Sequence, residues 1–260
     1  MGKQEAYQPQ PLIQMYVDHI QSTLQRVLLD NSAVEEAAKA AAGSLAQDGV
    51  IHVVGTGHSH MLAEEAFYRA GGLVRVDPVL DSGLMLHESP IKSTYFERLA
   101  GYAEVLLKDR ELKAGDIVVI ASNSGRNAVP VETAQLAKER GCVVVAITSL
   151  PHSQKVTSRA VSGQKLYELA DIVIDTQIPY GDACLPIAGL PASMGPLSSI
   201  VGIAALNSLL ALTAQYLVEL GHTPDVFISA NVEDTESNLD VLEQMYIRRV
   251  PRSKADRSEP

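Results

Sequence analysis

The chain has 260 residues, of which 46% are apolar and 20% charged, and this predicts one globular domain with a sizeable core. Its 31 acidic and 21 basic side chains give a net charge of −10, which argues against binding to nucleic acid or a membrane surface, because both attract clustered Lys and Arg. Two cysteines without metal-ligand spacing and a polar amino terminus without a signal-peptide core favour a cytoplasmic protein.

The amino-terminal region predicts two helices ahead of any strand. Apolar residues recur at helical spacing over residues 11–29. Ser32 with Glu35 then has the pattern of a capping box, which opens a second helix that continues to Ala46. A parallel sheet does not need two helices before its first strand. We therefore predict that residues 1–47 contribute to subunit contacts in a homodimer or homotetramer.

Five short apolar runs alternate with helical patterns in the rest of the chain. The predicted strands are residues 50–54, 74–76, 117–121, 143–148 and 172–175. The predicted helices between and after them are residues 61–70, 95–107, 128–140, a short helix ending near residue 170, and a long apolar helix over residues 197–220. This alternation predicts an α/β fold, a three-layer αβα sandwich with a five-stranded parallel sheet in the flavodoxin-like order 2-1-3-4-5.

Two polar loops follow predicted strands 1 and 3. We call residues 55–60 the first loop and residues 122–127, Ser-Asn-Ser-Gly-Arg-Asn, the hydroxyl loop. In the strand order 2-1-3-4-5 these loops face each other across one crevice, where strand order reverses. The hydroxyl loop also precedes a helix, whose amino end favours an anion. The alternative interpretation of this loop is an ordinary helix cap.

These two loops resemble those of the SIS (sugar isomerase) domain family. The resemblance covers about residues 50–220, and the chain looks most like bacterial SIS proteins described as phosphosugar or phosphoheptose isomerases. It implies a flavodoxin-like fold, oligomerisation, and a sugar phosphate held by the hydroxyl loop. The expected organisation is a pair of amino-terminal helices at residues 1–47, a SIS domain at residues 48–221, and a carboxyl-terminal extension at residues 222–260 with a disordered tail.

The resemblance also implies which residues bind the ligand. Ser122, Ser124 and Asn127 match phosphate-contacting positions of the family, and Ser59 matches the serine near the sugar. Ser198 and Ser199 belong to a segment that contacts the substrate in several members, and the full predicted binding set adds Gly57, His58 and Asn123 from the two loops. Phosphoheptose isomerases place a catalytic Glu in the helix after the first loop, and the corresponding position here is Arg69. Their chemistry therefore does not transfer directly to this chain.

The predicted function is that of an aldose–ketose isomerase acting on a sugar phosphate, without a cofactor or metal. Such an enzyme needs a base that moves a proton between adjacent carbons and an acid at the carbonyl. His87 and Glu88, in the long segment after strand 2, are the predicted proton-transferring pair, with His60 nearby. Burial beside a bound phosphate is expected to raise the pKa of Glu88. Other acidic candidates near the crevice are Glu64, Glu65 and Asp182.

Four alternative functions remain open at this stage. The protein could be a non-catalytic sugar-phosphate sensor, or a lyase or etherase that acts on an amino-sugar phosphate. A dinucleotide enzyme is suggested by Gly55, Gly57 and the acidic Asp77 about twenty residues on, although the third glycine of that motif is missing. A metal site is suggested by four imidazole and carboxylate side chains, those of His58, His60, His87 and Glu88.

Overall fold

A computed structural model describes residues 10–229, so the tail predicted to be disordered lies outside the described residues. Its centre is a parallel five-stranded sheet in the order β2-β1-β3-β4-β5. The strands are β1 (Ile51–Gly55), β2 (Val76–Val79), β3 (Ile117–Ala121), β4 (Val143–Thr148) and β5 (Ile172–Asp175). The predicted fold class and strand order are confirmed.

Helices cover both faces of the sheet. They are α1 (Pro11–Leu28), α2 (Ala33–Leu45), α3 (His60–Ala66), α4 (Pro90–Phe96), α5 (Tyr102–Leu106), α6 (Ala128–Glu139), α7 (Leu150–Ser153), α8 (Leu166–Leu169) and α9 (Ser198–Glu219). Two further strands, β6 (Ala183–Leu185) and β7 (Met194–Pro196), form an antiparallel pair that the sequence analysis did not predict. Helices α1, α2, α3 and α9 pack on one face, and α5, α6 and α8 pack on the other.

The central strands are buried on both faces, which explains their continuous apolar sequence. In β3, Ile117 and Val119 belong to the core on the α9 side, whereas Val118 and Ile120 belong to the core on the α6 side. Successive side chains of a strand point to opposite faces, so every residue of β3 needs to be apolar. The side chains of β4 alternate between the same two cores, so helices pack on both faces of the sheet and the domain has three layers.

Two predicted element boundaries are wrong. The second strand was predicted to end before Asp77, but β2 includes both Asp77 and Pro78. The sheet tolerates Pro78 because β2 is an edge strand, where a missing N–H breaks no ladder on the outer side. The helix predicted over residues 95–107 is instead divided into α4 and α5 by Gly101, whose φ of 80° lies in the left-handed region.

The predicted capping box at α2 is also wrong. The Ser32 side chain accepts no bond from the helix. The Oδ1 of Asn31 instead accepts from the backbone N–H of Ala33 at 2.9 Å. The carboxylate of Glu35 accepts from Tyr216 on α9 at 2.9 Å and pairs with Lys39 at 2.7 Å. Tertiary contacts with α9 therefore replace the local cap that the sequence pattern indicates.

Helix α9 packs against both α2 and α3. It is long and apolar enough to cross a membrane, but one such helix is weak support for a membrane span, because the core helix of a globular domain meets the same test. Val201, Ala205 and Leu209 of α9 are fully buried in the core on this side of the sheet. The all-round apolar sequence of this helix predicts burial on most faces, but within one chain its outer side is open, with Ile200 and Val218 39% and 61% exposed.

Helix α1 presents apolar side chains to solvent. Leu12, Ile13, Met15 and Val17 are 37–53% exposed within one chain. Because these four residues lie close together along one helix, we expect a second copy of the chain to cover them. Sedimentation should give a mass that is a multiple of 27.9 kDa, and the double variant Leu12→Glu, Ile13→Glu should shift it to the monomer. A stable wild-type monomer at micromolar concentration would contradict this prediction, and Gln14→Glu serves as the matched control.

Candidate functional site

The site lies where β1 and β3 end side by side, with Gly55 in register with Ala121. The first loop follows β1 and the hydroxyl loop follows β3, so the sheet itself brings them together. A small cleft here is lined by polar side chains from the ends of four elements and by apolar groups: Ser59, Asn123, Thr176, Ser198, Ser199, Leu62, Ala121, Ile147 and Gly202. Four residues that the sequence predicts to bind ligand therefore share one cleft.

The hydroxyl loop presents unpaired backbone donors. Within the described chain, the N–H groups of Asn123, Ser124, Arg126 and Asn127 have no hydrogen-bond acceptor, whereas that of Gly125 donates to Ser122 Oγ at 3.2 Å. Gly125 has a φ of 55°, and an added Cβ would lie within 3.4 Å of neighbouring side chains. A glycine is therefore required at the centre of the loop. Unpaired N–H groups ahead of a twelve-residue helix form an anion-binding concavity.

The serine hydroxyls around the crevice fall into two groups. Over residues 10–229, the side chains of Ser59, Ser124 and Ser199 take part in no hydrogen bond. Ser122 and Ser198 are already engaged, since Ser122 Oγ accepts from Gly125 and Ser198 Oγ donates to Asp182 at 2.7 Å. The first group is free to bind a ligand, and the second group shapes the site.

Asp182 holds the amino end of α9 in place. Its Oδ1 accepts from the backbone N–H groups of Leu197 and Ser198 at 3.1 and 2.8 Å. The residue has a φ of 69°, a strained value for a side chain other than glycine. The segment before β6 thus holds the start of α9 in position. The carboxylate of Asp182 is the negative charge that the amino end of a helix favours.

The structure adds His152 to the site, a residue that the sequence analysis missed. It follows β4, its Nδ1 lies 3.5 Å from Asn123 Nδ2, and its ring packs against Tyr180 at 5.0 Å. Burial lowers the pKa of His152, the charge of Asp182 raises it, and the charge of Arg126 lowers it. The net direction is downward, so the imidazole is neutral at neutral pH. Its position after the carboxyl end of a strand was the available signal.

The predicted proton-transferring residues lie together, but outside the small cleft. The charge of His87 acts on both His60 and Glu88, which places these three near one another. Glu88 is 43% exposed and its Oε2 accepts from Lys92 Nζ at 2.7 Å. Hydrogen bonds from Lys92 and Ser82 lower the pKa of Glu88, and the increase expected beside a bound phosphate stays a prediction.

His60 is committed to structural contacts on both sides of its ring. Its side chain is 1% exposed, with Nδ1 3.0 Å from Glu64 Oε1. Its Nε2 accepts from the backbone N–H of Asp81 at 3.4 Å, which fixes the tautomer with the proton on Nδ1. Burial lowers the pKa of His60. The residue thereby ties α3 to the segment after β2.

Three other predicted binding residues have distinct positions. Gly57 donates its backbone N–H to Leu84 O at 2.9 Å, which anchors the first loop. His58 is exposed next to it. The buried side chain of Asn127 accepts at Oδ1 from Arg159 Nη1 at 3.0 Å. Its amide therefore orients an arginine, while its backbone N–H contributes to the hydroxyl loop.

The dinucleotide and metal alternatives lose their support. Asp77 is buried, where it contacts His52 Nδ1 at 3.0 Å and Arg110 Nη1 at 2.7 Å, so it is not a free ribose-binding acid at the crevice. Among the residues placed by the structure, no group of three or more His, Cys, Asp or Glu side chains is arranged to hold a metal ion. His58, His60, His87 and Glu88 therefore do not form the predicted alternative metal site.

The fold is an α/β fold with a crevice at the reversal of strand order, where N–H groups of the hydroxyl loop have no acceptor in the described chain. The SIS domain family model matches residues 15–149. A UPF0309 protein of Listeria monocytogenes serotype 4b is 41% identical over 242 residues, covering 92% of this chain and 98% of the relative. Another, from Caldanaerobacter subterraneus subsp. tengcongensis, is 42% identical over 244 residues, covering 92% and 99%. The chain belongs to the SIS domain family.

Solved structures with the same fold include two enzymes. A phosphoheptose isomerase from Francisella tularensis superposes with a TM-score of 0.53 at 15% identity, covering 78% of this chain and 96% of that one. A phosphoheptose isomerase from Neisseria gonorrhoeae gives a TM-score of 0.51 at 19% identity, covering 78% and 97%. At these identities the likeness concerns the fold alone.

Proposed function

We propose that the chain binds a sugar phosphate in the crevice and interconverts its aldose and ketose forms in the cytoplasm. The observation that carries this proposal is the set of unpaired N–H groups at Asn123, Ser124, Arg126 and Asn127, directly before α6. Together with the Ser124 hydroxyl they supply donors for one phosphate. The phosphoheptose isomerases that share this fold support the sugar as the rest of the ligand.

The sugar would extend from the hydroxyl loop into the cleft between the first loop and α9. Ser59 and Ser199 offer free hydroxyls there, and Asn123 Oδ1 is buried without a donor in the described chain. Sugar hydroxyls both donate and accept, so they can complete each of these groups. The polar lining and the absence of large aromatic groups among the cleft residues suit a small hydrated ligand.

His152 is the proposed proton-transferring group. An aldose–ketose interconversion removes a proton from one carbon and returns it to its neighbour, and a neutral imidazole can do both. The lowered pKa of His152 leaves it unprotonated, and Asp182 and Asn123 flank it at the crevice. The alternative proton-transferring group is the pair of His87 and Glu88, which a second subunit would bring to the ligand.

Removing the free hydroxyl of the hydroxyl loop should weaken phosphate binding selectively. We expect Ser124→Ala to lower the affinity for a bound sugar phosphate about 10- to 100-fold, the usual effect of losing a hydrogen bond to a charged group. Thermal-shift screening of pentose, hexose, heptose and amino-sugar phosphates identifies the ligand, since a compound at about 100 times its Kd stabilises by roughly 2.7 kcal/mol. Calorimetric titration then compares the variant with wild type.

Ser162→Ala is the matched control, because this serine is exposed and its Oγ makes only one long hydrogen bond in the described chain, accepted from Gln164 N at 3.4 Å. It should leave affinity and unfolding temperature unchanged. Equal affinity in Ser124→Ala and wild type would mean that the hydroxyl loop is only a helix cap. Binding without turnover of any sugar phosphate would assign the protein to the sensor class, and release of a substituent from an amino-sugar phosphate would assign it to the lyase or etherase class.

A further inference from the structure

Three arginine side chains converge beside the hydroxyl loop from separate parts of the chain. We call Arg98, Arg126 and Arg159 the arginine cluster. Arg126 Nη2 donates to Thr157 Oγ1 at 3.2 Å, and Arg159 Nη1 donates to Asn127 Oδ1 at 3.0 Å. The backbone N–H of Arg159 donates to Arg126 O at 2.7 Å, which joins the two segments directly.

The cluster carries positive charge that the protein does not neutralise. Over residues 10–229, none of its three guanidinium groups forms a salt bridge. Burial, followed by the charges of Arg126 and Arg98, lowers the pKa of Arg159, and only Glu97 acts in the opposite direction. Placing like charges together costs free energy that a bound anion would offset. The chain has a net charge of −10 and so repels anions over most of its surface. The arginine cluster is a local exception to this negative charge.

One donor in the cluster has no partner. Arg126 Nε is buried, and no acceptor lies within hydrogen-bond distance of it in the described part of the chain. A buried polar group without a partner is uncommon and points to an acceptor that the chain itself does not supply. Arg98 and Arg159 are exposed, so a ligand can reach the guanidinium groups next to it.

The cluster borders the crevice on the side opposite to α9. Glu97 Oε2 accepts from Thr56 Oγ1 of the first loop at 3.0 Å, and Glu97 O accepts from the backbone N–H of Val129 in the first turn of α6. Asn127, which holds Arg159, belongs to the hydroxyl loop itself. The arginines therefore lie next to the proposed phosphate position, on the α6 side of the sheet.

The hydroxyl loop already provides neutral donors for one phosphate, so the arginines are available for another group. We infer that the arginine cluster binds a second anionic group of the ligand, a carboxylate or a second phosphate, and that the substrate class is therefore sugar phosphates with two anionic groups. A guanidinium fork matches both groups with paired hydrogen bonds. This inference rests on the proposed function, because it concerns the same ligand.

The test compares ligands that differ only in their second anionic group. Calorimetric titrations pair glucitol 6-phosphate with 6-phosphogluconate, both open-chain, and fructose 6-phosphate with fructose 1,6-bisphosphate. In wild type, at least one doubly anionic ligand should bind about 10-fold or more tightly than its partner. Arg159→Gln and Arg98→Gln should abolish this preference while changing the affinity for the singly phosphorylated sugars less than about twofold.

Arg140→Gln is the matched control, because Arg140 lies at the opposite end of α6 and also forms no salt bridge in the described chain. It removes the same charge and should retain the preference. The inference would be overturned if wild type bound both ligands of each pair with equal affinity. It would also be overturned if the two variants lost affinity equally for singly and doubly anionic ligands. Either result leaves the proposed function standing. Failure of every sugar phosphate to bind, with Ser124→Ala indistinguishable from wild type, would instead overturn the proposed function and this inference with it.

Discussion

We expect His152→Gln to lower the turnover of the bound sugar phosphate by about 100-fold or more, the usual share of acid–base catalysis, with affinity changed less than about threefold. Glutamine is close in size to histidine but cannot accept and return a proton at neutral pH. The backbone N–H of His152 donates to Ser149 Oγ at 3.1 Å, and this bond does not depend on the His152 side chain. The fold around the crevice should therefore persist in the variant.

The pH dependence of turnover should identify the imidazole. Because burial lowers the pKa of His152, the neutral base persists below the ordinary imidazole value of about 6.5. Turnover in wild type should therefore stay constant from neutral pH down past that value and fall at lower pH, as the ring becomes protonated. Values of kcat/KM, which report the groups of the free protein, should give this acid limb when measured in steps of half a pH unit, and His152→Gln should lack it.

Two further variants decide between the candidate bases. His222→Gln changes an exposed histidine after α9 and should leave turnover unchanged. Glu88→Gln removes the carboxylate of the alternative pair, whose ion pair with Lys92 and lowered pKa make it a weak base. A loss of about 100-fold in Glu88→Gln with full activity in His152→Gln would reverse the assignment and place the base in the segment after β2.

The sheet was predictable because its central strands have a strong local signal. The predicted residues 117–121, 143–148 and 172–175 match β3, β4 and β5. In β3 and β4, burial on both faces forces consecutive apolar residues, whereas the edge strand β5 alternates between buried and half-buried residues. Once the alternation with helices fixes the strand order, the two polar loops must meet. The crevice thus follows from local patterns and a general rule of topology.

The residues that the prediction missed depend on contacts between distant segments. The sequence signal for His152 is its position after the fourth strand, whereas its contacts with Asn123 and Tyr180 appear only in the folded chain. The arginine cluster joins residues more than thirty positions apart, so the approach of Arg159 to the hydroxyl loop appears only in the folded chain. At β2, the edge position that permits Pro78 is likewise a tertiary property.

The second large effect concerns stability, at the end of the sheet away from the crevice. His52, near the start of β1, lies between two carboxylates: its Nδ1 is 3.0 Å from Asp77 Oδ2 and its Nε2 is 3.4 Å from Asp116 Oδ2. All three side chains are buried, with Arg110 as the other partner of Asp77. Asp116 also accepts the backbone N–H groups of Val50 and Lys113, which fixes the entry into β1 and β3.

We expect His52→Leu to lower the free energy of unfolding by about 3 kcal/mol or more, because the buried carboxylates of Asp77 and Asp116 both lose a side-chain hydrogen-bonding partner. Urea denaturation of the full chain measures the loss, with exposed His222→Leu as the control at about 0.5 kcal/mol or less. His52 is three residues from the end of β1, about 10 Å from the crevice at 3.3 Å per residue. The folded variant should therefore keep its affinity for sugar phosphate. A loss no larger than that of the control would mean that Arg110 and backbone donors alone compensate the two aspartates.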